Sequence, residues 1–156
     1  MNSFSANLTG SQETIPNAST ATGFGSVLLN NAENLITVNL SWTGLTAPAS
    51  AAHIHGPALQ GSNAPVLFGF TGVPNAITGQ IPQQSFSITP TQVNYLKTGQ
   101  LYFNIHNSVF PPGEIRGQIQ QVPEPMTLLG SMAAIAFGSR LNRKFAQKDT
   151  QQKEKV

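Results

Sequence analysis

The clearest pattern in the chain is the run Ile36, Val38, Leu40, Trp42, which alternates with Thr37, Asn39 and Ser41. A period of two is what a half-buried β-strand requires, because successive side chains point to opposite faces. A second strand is expected over residues 24–29, and Asn30-Asn31-Ala32-Glu33-Asn34 supplies the turn formers that close a hairpin between the two. Further strands are expected over residues 4–8, 51–55, 66–70, 85–88, 101–106 and 114–120. Eight short strands separated by Gly, Pro and Asn predict an all-β fold, an antiparallel Greek-key β-sandwich or barrel. The one helix expected in this body starts at Thr89-Pro90, an N-cap followed by proline at the first helical position, and ends at Gly99. It serves as a short connector.

The pattern changes at Val122-Pro123-Glu124-Pro125. Two prolines stop the alternation, and an apolar run without a charge follows over residues 126–139. As a helix this run reaches only about 21 Å, short of the roughly 30 Å hydrocarbon core of a bilayer. Arg140, Arg143 and Lys144 come directly after it, and by the positive-inside tendency they stay cytoplasmic while the β domain faces outward. The expected organisation is a β domain over residues 1–121, a sorting or membrane segment over 122–144 with an apolar helix, and a polar, disordered tail over 145–156. The competing reading of the apolar run is an amphipathic terminal helix packed on the domain. Met1-Asn2-Ser3-Phe4 leads straight into the first strand with no signal peptide, so export is inferred from the C-terminal end and the chain is expected to start late.

Charge sharpens this division. Residues 1–121 hold two cations, Lys97 and Arg116, against Glu13, Glu33 and Glu114, a net charge of −1. Residues 122–156 hold six cations against three acids, so the high pI belongs to the tail. A body with two cations lacks the basic patch from which nucleic-acid affinity is built. Cysteine is absent, which excludes disulfides, thiolate metal sites and cysteine nucleophiles. Aspartate does not occur before Asp149, which removes paired-carboxylate hydrolases, EF-hand loops and Ser-His-Asp triads. Gly23-Phe24-Gly25 leads into a strand and is no phosphate loop. Asn7-Leu8-Thr9, Asn17-Ala18-Ser19 and Asn39-Leu40-Ser41 match the glycosylation sequon, a reading that a bacterial sorting tail disfavours. Trp42, Phe68, Phe70 and Phe103 stand at strand spacing and are assigned to the core rather than to a carbohydrate platform.

Three ordered blocks carry a family resemblance: Ala6-Asn7-Leu8-Thr9-Gly10-Ser11-Gln12-Glu13; Ala52-His53-Ile54-His55-Gly56-Pro57-Ala58; and Leu101-Tyr102-Phe103-Asn104-Ile105-His106-Asn107 followed by Pro112-Gly113-Glu114-Ile115-Arg116-Gly117-Gln118-Ile119. On these, residues 4–120 resemble the CHRD domain found in many secreted microbial proteins. Val122-Pro123-Glu124-Pro125, the apolar run and the basic stop resemble a PEP-CTERM sorting signal. That likeness implies a membrane sorting protease as partner and a cell-surface or secreted destination, with transient membrane anchoring. The apolar run is shorter than usual for such signals, and a polar segment continues beyond the basic stop.

All three histidines lie inside these blocks. On strands, His53 and His55 share one face while Ile54 takes the other, and Tyr102, Asn104 and His106 lie opposite Phe103 and Ile105. Glu114, Arg116 and Gln118 likewise lie opposite Ile115. Three imidazoles and an arginine therefore fall on outer faces, and if the strands are neighbours the cluster suits copper, zinc, iron or nickel. The His-x-His spacing, the late histidine and Gly113-Glu114-Ile115-Arg116-Gly117 are also similar to the copper-site pattern of Cu/Zn superoxide dismutases. This similarity implies His53, His55 and His106 as copper ligands and Arg116 as an anion guide. The bridging histidine and zinc-loop ligands of that family have no counterpart, which leaves a copper-only site. Two alternatives stand beside it: histidines that hydrogen-bond within the sheet, in a non-catalytic module binding a surface protein or polysaccharide, and an Arg116 that is the surface partner of Glu114, Glu13 or Glu33.

Overall fold

The computed structural model describes residues 1–123, and the strand pattern is realised along most of it. Strands β1 (Asn2–Thr9), β2 (Thr22–Leu29) and β3 (Leu35–Thr43) form a meander, followed by β4 (Ala49–His55) and β5 (Val66–Gly69). The short β6 (Gly79–Gln80) and β7 (Gln84–Ser87) precede helix α1 (Pro90–Lys97), and β8 (Tyr102–Asn107), β9 (Ile115–Gln118) and β10 (Gln120–Gln121) complete the described chain. The β2–β3 turn closes as expected, with Asn30 Oδ1 accepting from the Asn34 and Leu35 N–H groups and Glu33 at φ 53°. Helix α1 starts in a capping box, in which Thr89 Oγ1 accepts from Gln92 N and Gln92 Oε1 accepts from Thr89 N.

The expected antiparallel all-β fold is realised as one ten-stranded sheet in the order β5-β4-β8-β9-β1-β2-β3-β6, with β7 also on β3 and β10 on β1. It curls into a half-barrel. The curl brings distant parts together: the Phe68 ring of β5 lies 5.3 Å from the Phe86 ring of β7. The concave side holds the core, built from the alternate residues Phe4, Leu8, Val27, Ile36, Val38, Leu40, Ile54, Phe103, Ile105 and Ile115. Trp42 and Phe68 join them, as their spacing requires. β2 departs from this rule, placing glycines at the inward positions 23 and 25 and turning Phe24 outward, half exposed.

The opposite face of β4, β8 and β9 corrects a sequence expectation. Tyr102, Asn104, Glu114 and Arg116 do point away from the core, yet each is at most 3% exposed. The loops around residues 10–21, 56–65 and 108–114 lie over them and exchange hydrogen bonds with them. Strand periodicity reports which face a side chain takes; it does not report whether a loop later covers that face.

Val122 and Pro123 end the described chain, and the Val122 N–H donates to Ser3 O at 2.8 Å. Glu124, Pro125, the apolar run, the basic stop and the polar tail lie outside the described residues. No helix among the described residues is long and apolar enough to cross a membrane.

A Cβ on Gly25 would stand 2.8 Å from Phe103 Cζ and closer to the edge of that ring, so β2 meets β8 here without room for a methyl group. Gly25→Ala is expected to lower the unfolding free energy by about 1–3 kcal/mol, the usual range for overpacking, as read by urea denaturation followed through Trp42.

Candidate metal centre

Register brings the histidines together. On β4 and β8, His53 lies opposite Asn104, His55 opposite Tyr102, and Ala51 opposite His106. The three imidazoles therefore sit on one face of two adjacent strands, and one nitrogen from each lies within 4.8 Å of the others. His53 and His106 are half-buried, and His55 is 9% exposed.

Main-chain carbonyls set the ring states. The Nδ1–H of His55 donates to Ala64 O at 3.0 Å, and the Nδ1–H of His106 donates to Pro111 O at 3.0 Å. This tautomer leaves a lone pair on Nε2 of each ring. His106 Nε2 spends its lone pair on His53 Nδ1 at 3.1 Å, while His55 Nε2 is buried without a partner. A carbonyl behind a ligating imidazole is the usual support for a metal-bound histidine. Two nitrogens bound to one ion at about 2.0–2.1 Å stand about 3.3 Å apart at a tetrahedral angle, so the His53–His106 pair already has the needed spacing.

Electrostatics keep all three rings neutral. Burial, then the neighbouring His106 and His55, push His53 down to about 4 from an ordinary 6.5. Burial likewise lowers His55 and His106, against the opposing effect of their carbonyl partners, and the Arg116 cation adds to the lowering of His55. Neutral imidazole is the form that ligates a metal.

Arg116 occupies a different position from the one expected. It is fully buried, with Nη1 donating to Thr14 Oγ1 and Ser62 O, and Nη2 donating to Leu59 O and Gln118 Oε1. Its guanidinium carbon lies 3.6 Å from the Tyr102 ring centroid, and on the other side of β8 the His55 ring stacks on Tyr102 at 5.1 Å. The expectation of an exposed Arg116, free on a strand face or paired at the surface, is thereby corrected: four neutral oxygens take all its Nη hydrogens. The guanidinium clamps the 56–65 loop. That loop carries Ala64, whose N–H donates to the Tyr102 hydroxyl and whose carbonyl holds His55. Of the three carboxylates weighed as partners, Glu33 pairs instead with Lys97 at the surface. Glu114 accepts from Thr46 N, Ser19 Oγ and Asn107 Nδ2. Glu13 is the one whose charge Arg116 influences.

The roles of Tyr102, Ala64 and Pro111, and the burial of Glu13, have no signal in the sequence pattern. Glu13 is 8% exposed, its Oε1 has no partner, and burial raises its pKa to about 7 despite Arg116 and Asn104, which pull the other way. Carbonyl partners such as Ala64 O leave no side-chain signature. Strand alternation puts Tyr102 on the face it takes, and its adjacency to His55 follows from the register of β4 on β8.

With this geometry in place, the comparison with known families is decisive on one point. The model of the CHRD domain matches residues 4–119, and the chain belongs to that family. No curated protein matches the chain.

Two outcomes follow from the buried polar groups. Arg116→Met leaves four acceptors without donors and is expected to cost about 3 kcal/mol or more, measured by chemical denaturation. In the pH dependence of stability, His53 binds its proton more weakly when folded, so its contribution rises with pH between about 4 and 6.5, and the lowered His55 and His106 act in the same direction. Glu13 binds its proton more tightly when folded, so its contribution falls as pH rises from 4.5 through about 7. Glu13→Gln removes the opposing slope, and its stability is expected to climb more steeply than wild type across pH 4.5–6.5 in urea titrations.

Proposed function

We propose that this CHRD domain is an extracytoplasmic, surface-directed protein that binds one transition-metal ion, copper foremost, through His53, His55 and His106. The observation that carries the reading is the convergence of three neutral imidazoles, two of them with tautomers fixed by carbonyls, around an unpartnered Nε2. With no cysteine in the chain, the donor set is all nitrogen. Among divalent first-row ions such a set favours copper in the order of intrinsic affinities. Three protein ligands leave further positions open to a small molecule, and superoxide dismutation is the redox activity that the copper-site likeness suggests. His55 is held between Ala64 O and Tyr102, and Arg116 fixes that arrangement from behind. The tail supports an outward destination, since Val122, Pro123, Glu124 and Pro125 fit a motif read by a membrane sorting protease.

Isothermal titration of the full chain with Cu(II), with electron paramagnetic resonance of the product, tests the site. One equivalent with nitrogen hyperfine structure is expected, and His53→Ala and His106→Ala should each weaken it by about a hundredfold or more, beyond the effect of losing an outer partner. Binding that survives both substitutions would overturn the three-histidine site and leave a non-catalytic surface module. A tight zinc equivalent with no copper preference would overturn copper alone.

A further inference from the structure

We infer that the outer face of β1, β2 and β3 is a binding groove for an extended neutral polysaccharide, with Phe24 as its stacking platform. The inference is independent of the histidines and starts from the inverted pattern of β2. Gly25 faces inward because Phe103 occupies the space a side chain would need. Nothing in the packing asks for an aromatic at the neighbouring outward position, yet Phe24 stands there 50% exposed. In register, Asn7 lies beside it on β1 and Ser41 on β3, with Gln80 of β6 beyond Ser41. At the usual strand spacing this row spans about 14 Å, room for several sugar units.

Two concavities of about 350 and 380 Å³ adjoin this row, and both include Phe24 and Ser41 in their walls. They share these two residues as a common wall. Asn7, Thr22 and Thr43 line one concavity, and Asn39, Gln80 and Gln83 the other. An aromatic face takes up the apolar C–H face of a sugar ring. Carboxamides offer a donor and an acceptor side by side, and hydroxyls offer both on one atom, which matches adjacent sugar hydroxyls.

Charge selects a neutral occupant. Strands β1, β2, β3, β6 and β7 contain no charged residue. Among the described residues, Glu13, Glu114 and Arg116 are buried, and the exposed Glu33 and Lys97 neutralise each other. An anionic polymer or a charged peptide would bring charges to a face that cannot pair them.

Native affinity electrophoresis of the full chain tests the groove, with hydroxyethylcellulose, galactomannan or dextran in the gel and alginate as the anionic control. Retardation that grows with polymer concentration is expected in at least one neutral polymer, unchanged by a chelator. Phe24→Ala should raise the dissociation constant about tenfold while Phe24→Tyr retains binding, since stacking contributes on this scale. Circular dichroism melting should show both variants folded. The proposal is overturned if none of the three neutral polymers retards the protein, if Phe24→Ala is retarded equally, or if alginate alone retards it. It is also overturned if sedimentation shows a dimer that Phe24→Ala dissociates, for a second copy would then occupy the groove.

Discussion

A buried guanidinium with four neutral acceptors is the constraint around which the polar half of this domain is arranged. Arg116 leaves water for Thr14 Oγ1, Gln118 Oε1 and the carbonyls of Leu59 and Ser62. Its four Nη hydrogens are met in this way while Nε is buried without a partner, and a desolvated cation is tolerable only when most of its donors are met in a fixed geometry. Meeting them draws the 56–65 loop down over the sheet. Once the loop is there, Ala64 can fix the tautomer of His55 and Tyr102 can stack on its ring. The histidine cluster thus inherits its order from a residue that makes no hydrogen bond to any of the three imidazoles.

Glu114 performs the matching task at the other end of the same face. Its carboxylate gathers Ser19, Thr46 and Asn107, so that the loops before β2 and after β3 are held against β8 without a counter-cation. Hydrogen bonds to a charged acceptor are stronger than neutral ones, which suits a group that must hold separate segments. The domain therefore has two chemically distinct layers: an apolar one inside the curl, and a polar one between the sheet and its covering loops.

Much of this was legible in the chain and some was not. The alternation of β3, the Asn-rich turn and the Thr89 N-cap each express a local rule, and each appears where the residues place it. The pairing order is nonlocal, so a stacked sandwich and a single curled sheet share the same periodicity. β6 has two residues in a Pro/Gly/Asn-rich stretch and carries no period to detect. Placing His53, His55 and His106 on one class of face followed from strand geometry; their convergence required β4 beside β8 in one register. The burial of Arg116 could not be read, because its partners are mostly main-chain and amide oxygens that any sequence could supply. Phe24 shows the reverse, a core-type residue whose outward position emerges only when Gly25 is seen to face Phe103 and Gly23 to face Ile115 and Leu8.

The Glu33–Lys97 pair is the exposed side-chain ion pair of the described domain, and its two charges cancel. Salt acts on proteins by screening exposed charge over roughly 8–10 Å at ordinary ionic strengths. With so little exposed charge, screening by itself changes the folding and encounters of this domain little. Its encounters are unsteered by long-range fields, so selectivity has to come from contact alone.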